Sequence, residues 1–124
     1  MYTFTKEERL CNKRLIDSLF HSGSSFLCYP FKVSWLVSEE IPVPAQVLFA
    51  APKKRFKHAV DRNTIKRRIR EAYRLNKQEQ LYNLLGEKKL ILALTYVGKE
   101  IELSELIQKR MIKTLVQLTA ELLK

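Results

Sequence analysis

Asp61-Arg62-Asn63-Thr64-Ile65-Lys66-Arg67-Arg68-Ile69-Arg70-Glu71-Ala72-Tyr73-Arg74 carries two patterns at once. At about 100° per residue, Asn63, Lys66, Arg67, Arg70, Arg74 and the later Lys77 fall on one continuous side of a helix. Ile65, Ile69, Ala72 and Tyr73 fall on another side, at the i, i+4, i+7, i+8 spacing of a buried stripe. Asp61 is positioned to cap the helix, its carboxylate meeting free N–H groups at the positive end of the dipole. One face therefore belongs to a core, and the other presents a row of cations.

The charge around this helix is local. Lys53 to Lys77 holds eleven Lys/Arg against Asp61 and Glu71, whereas the rest of the chain has twelve basic and eleven acidic residues. A concentrated basic stripe is the footprint of a polyanion site, which a diffuse positive balance is not. Solvated helix faces usually mix signs at i, i+4, but here Lys66 and Arg70, and Arg70 and Arg74, are like-charged neighbours. A bound polyanion relieves that repulsion. Lys53, Lys54, Arg55 and Lys57 continue the positive charge upstream.

Working outward, the periodicities give an α+β order of αββαβα, with residues 1–124 read as a single domain. Thr5 and Glu8 have capping-box spacing, and Asn12 is a second candidate cap. Leu15, Ile16, Leu19 and Phe20 make the stripe of a first helix stopped by Gly23. Phe31, Val33, Trp35 and Val37 alternate with Lys32, Ser34 and Leu36 as a strand does, and Pro42 and Pro44 separate it from a second strand over Val47 to Ala51. The basic helix follows and runs toward Leu85. Leu90 to Val97 is almost wholly apolar, which suits a central strand covered on both faces. Ser104 is read as the cap of a last helix with Ile107, Met111, Leu115, Leu118 and Leu122 as its stripe.

Other classes find little support. No apolar run approaches the ~18 residues of a membrane span, and the first residues lack the apolar core of a secretory signal. Cys11, Cys28, His21 and His58 show no zinc-ligand spacing and read as cytosolic residues. The acidic residues are scattered, with no pair of carboxylates signalled to converge on Mg2+, and no phosphate loop or nucleophile motif appears. No catalytic or metal-binding residue is assigned. From the residues alone the basic stripe contacts nucleic acid, with a structural RNA-binding protein, ribosomal or assembly, as one alternative. A DNA-binding basic helix is less favoured, since no dimerisation heptads accompany it.

Arg62-Asn63, then Lys66-Arg67, then Arg70, preceded by Ala59-Val60 and the Lys53-Lys54 pair, resembles the protein subunit of bacterial ribonuclease P. Thr64 stands where that family commonly has a further Arg, and Arg55-Phe56-Lys57-His58 replaces its glycine-containing turn. The resemblance implies a small central sheet packed with helices and a cytoplasmic protein with no obligate protein partner. It also implies two RNA partners: a catalytic RNA that cuts with Mg2+ held mainly by RNA, and precursor tRNA with its 5′ leader. Under it, Lys53, Lys54, Arg55, Lys57, Arg62, Asn63, Lys66, Arg67, Arg70 and Arg74 contact RNA. Ile16, Phe20 and Ser34 line a leader cleft between the first helix and the sheet.

Overall fold

The N-terminal segment is tied down by its own side chains. The Thr5 backbone N–H and hydroxyl both donate to Glu8 Oε1, at 2.9 and 3.1 Å, closing a short 3-10 turn over Lys6–Glu8. The computed structural model describes residues 3–123. The part of the N-terminal reading that falls on Met1 and Tyr2 lies outside them. After the turn the chain bridges Arg9 to Val47, and the Leu10 N–H donates to the Val47 carbonyl at 3.0 Å. Helix α1 spans Lys13–Ser22, with Asn12 Oδ1 accepting the Leu15 N–H as a cap does. It ends at Gly23, where a Cβ would stand 2.8 Å from the Trp35 carbonyl oxygen, so only glycine fits this approach to the sheet.

Four strands follow in the spatial order β1-β2-β4-β3. β1 (Ser24–Cys28), β2 (Phe31–Val37) and β4 (Leu90–Tyr96) pair antiparallel in that sequence, and β3 (Ala45–Ala50) runs parallel to β4. A parallel neighbour requires a crossover. Here that crossover is helix α2 (Ala59–Lys77), a π-helical turn (Gln78–Tyr82) and the short α3 (Asn83–Leu85). Gly86, at φ +63°, reverses the chain into β4. Helix α4 (Ser104–Leu122) completes the fold.

The sheet has a core on each face. On one, α2 and α4 bury Ile65, Ile69, Tyr73, Ile107, Met111 and Leu115 against Val33, Leu92 and Leu94. On the other, α1 packs Leu15 and Leu19 with Leu10 against Ile91 and Ala93. β4 is thus covered on both sides, as its unbroken apolar run requires.

Three details differ from the sequence reading. The order gains a strand, β1, so that it runs αβββαβα. β1 is an edge strand with Ser24, Ser25 and Leu27 exposed, and it carries too little apolar alternation to register as a strand. Helix α2 starts three residues earlier than an Asp61 cap requires; His58 holds the cap position without a side-chain bond. Asp61 sits instead in the first turn, where its charge still complements the dipole. Likewise Ser104 is the first helical residue of α4, and Leu103 precedes it at the cap position.

Candidate nucleic-acid interface

The apolar stripe of α2 is fully buried, and this orients its opposite side outward. Asn63, Arg67 and Arg70 are exposed, Lys66 is half-buried beside the core stripe, and Arg74 is half-buried. Among the described residues, Lys66, Arg67 and Arg70 take part in no salt bridge. Arg74 is engaged with Glu71 one turn back; that hydrogen bond holds the Glu71 carboxyl below the ordinary carboxylate range. Arg62 Nη1 donates to the carbonyls of Phe56 and Lys57, at 2.8 and 2.9 Å. It thereby anchors the loop that carries the exposed Lys53, Lys54, Arg55 and Lys57 beside the helix. Arg68 lies on another side of the helix and donates to the Glu102 carbonyl at 2.7 Å, which binds α2 to the segment leading into α4.

Lys77 leaves the cationic row. It is 3 % exposed and paired with Glu8, its ammonium 5.6 Å from the Phe4 ring centroid and 5.2 Å from that of Tyr82. The helical wheel places Lys77 close to the margin of the core stripe, and the N-terminal segment folds over it. Tyr82, carried round by the π-helical turn, donates its hydroxyl to Glu8 Oε2 at 2.5 Å.

A second surface lies beside α1. Strand alternation puts Ser25, Leu27, Lys32, Ser34, Thr95 and Ala50 on the face that α1 covers only in part. Ser34 pairs with Ser25 on one side and Ala93 on the other. Phe20 is 57 % exposed and Leu27 64 % exposed, while Ile16 is half-buried against the smaller core. Phe31 is fully buried and Trp35 packs against the larger core, so these two rings are structural. The cleft residues therefore divide: Phe20 and Ser34 border open surface, and Ile16 mainly supports α1.

Comparison with known proteins identifies the family. The sequence profile of the ribonuclease P family matches residues 4–122. The chain belongs to the ribonuclease P protein family. The ribonuclease P protein component of Porphyromonas gingivalis is 34 % identical over 120 residues, covering 94 % of this chain and 87 % of the relative. That of Chlorobium phaeobacteroides is 42 % identical over 106 residues, covering 75 % and 70 %. The fold is shared with the RNase P protein of Thermotoga maritima (TM-score 0.70, 21 % identity, 89 % and 96 % of the two chains). It is shared also with that of Staphylococcus aureus (TM-score 0.67, 22 % identity, 90 % and 94 %).

Ribonuclease P matures the 5′ ends of tRNA, and this chain is its protein component, working with an RNA subunit. Membership of the family sets aside the purely structural and DNA-binding alternatives. No three His, Cys, Asp or Glu side chains come together among the described residues as a metal-binding group would, and no helix among them is long and apolar enough to cross a membrane. One cation escaped the sequence reading. Arg9, isolated between Glu8 and Leu10, is brought by the bridge to Val47 against the same side of α2 as Lys66 and Arg70. No local pattern marks it, because its neighbours on the surface are about sixty residues away in sequence.

Proposed function

We propose that the exposed face of α2 holds the RNA subunit while the open sheet face beside α1 takes the single-stranded 5′ leader of precursor tRNA. Asn63, Lys66, Arg67 and Arg70 supply charge-assisted donors to phosphates, with the Glu71-paired Arg74 on the same face. Lys53, Lys54, Arg55 and Lys57 extend this surface, and Arg62 acts chiefly by shaping their loop. Phe20 offers a ring on which an unpaired base stacks, worth ~1–3 kcal/mol, and Ser34 borders the same strip. On this reading Mg2+ and the reacting groups belong to the RNA. The protein acts in the cytoplasm. The observation that carries this reading is that Lys66, Arg67 and Arg70 line one helix face and take part in no salt bridge among the described residues.

The test is RNA-subunit affinity across a salt series. Arg67→Ala or Arg70→Ala should weaken binding about tenfold or more and flatten the log–log salt slope by roughly 0.7–0.9. Lys109→Ala and Lys113→Ala, on exposed positions of α4, should do much less. Equal small effects from both sets would contradict the assignment.

A further inference from the structure

Arg9, Lys66 and Arg70 border a groove of about 220 Å³ between the N-terminal segment and α2, crossing the outer edge of β3. Its remaining walls are apolar or aromatic and include Phe4, Leu48 and Phe49, with Cys11 also on the lining. The Phe4 and Phe49 rings sit 5.6 Å apart, tilted by 54°, and both are half-buried. The wall that carries Phe4 and Arg9 is held in place by the buried Glu8–Lys77 pair. Phe49 is braced from behind by the fully buried Tyr73 ring.

This lining is selective in a physical sense. A bare anion gains nothing from the aromatic walls, and an apolar ligand gains nothing from three cations without salt-bridge partners among the described residues. A flat ring attached to a phosphate uses both. The volume falls below the ~300–1,000 Å³ of sites for drug-sized ligands, which suits a single base. We propose that the groove takes a single unpaired nucleotide of an RNA strand, its base against Phe4 and Phe49 and its flanking phosphates on Arg9, Lys66 and Arg70. The site shares neither Phe20 nor Ser34 with the leader cleft. It rests on the RNA-binding reading of α2 and extends that surface to a residue outside the basic window.

Cys11 makes the test direct, because it is exposed on the groove. In Cys28→Ser protein, alkylation of Cys11 by iodoacetamide is timed with a saturating short single-stranded RNA oligonucleotide. An abasic ribose-phosphate strand of the same length and inorganic phosphate serve as comparisons. The oligonucleotide should slow alkylation about fivefold or more, the abasic strand distinctly less, and phosphate least. Arg9→Ala should weaken oligonucleotide affinity about tenfold. The same protection measured with the RNA subunit, precursor tRNA and mature tRNA in turn identifies which strand supplies the nucleotide. If no RNA binds the wild-type chain, both the groove and the RNA-binding reading of α2 fall. If binding requires Arg67 but leaves Cys11 unshielded and Arg9→Ala without effect, the groove alone is overturned.

Discussion

Glu8 accepts hydrogen bonds from the Thr5 N–H, the Thr5 hydroxyl, the Tyr82 hydroxyl and the Lys77 ammonium. Burial opposes its ionisation, yet the ammonium and the other donors outweigh that cost and hold the carboxyl below its ordinary range. A depressed folded value means that this stabilisation is fully present above the ordinary value near 4.5 and is lost as the pH falls through the lower, folded one. Glu8→Gln leaves Lys77 buried without its counter-ion, a change that typically costs ~3–5 kcal/mol. Urea unfolding at neutral pH should show that loss, and the gap between wild type and variant should begin to narrow below about pH 4.5 and close once the pH passes the lower, folded value. A gap that is constant with pH would mean that the pair does not carry the effect.

The proposed leader surface lies between α1 and the sheet, and Phe20, 57 % exposed, is its ring. Because Phe20 is mostly exposed, Phe20→Ala should leave the fold nearly as stable as before. It should nevertheless reduce the holoenzyme's preference for precursor over mature tRNA. Competition binding of the two tRNAs measures this, and a folded variant with undiminished preference would remove Phe20 from the leader site. The same elements show what could be read from sequence. The stripes of α1, α2 and α4 were legible because one-sided burial imposes a period on each, and β4 because burial on both faces makes it apolar throughout. β1 was not, since its place depends on pairing with β2 rather than on its own pattern. Lys77 was assigned to the cationic row because a wheel cannot register a segment that returns from position 8 to cover it. Arg9 was missed for the converse reason. Local periodicity reveals which side of an element is buried, and tertiary contacts decide which cations remain available.

For the whole molecule, a net charge of +10 is gathered largely on α2 and its preceding loop. Like charges held together by the fold repel one another until a polyanion arrives. Sulfate should therefore raise the melting temperature more than chloride of equal ionic strength, since binding to the native state adds to screening. Identical shifts with the two salts would argue against a preformed anion site.

The central claim is that this chain assists an RNA that does the cutting. It is tested most directly by cleavage of precursor tRNA by the cognate RNA subunit at low Mg2+, with and without the protein. With the protein present kcat/KM for precursor tRNA should rise, the gain should depend on the 5′ leader, and the protein alone should cut nothing. Unchanged rate and unchanged substrate affinity on adding the protein would contradict it.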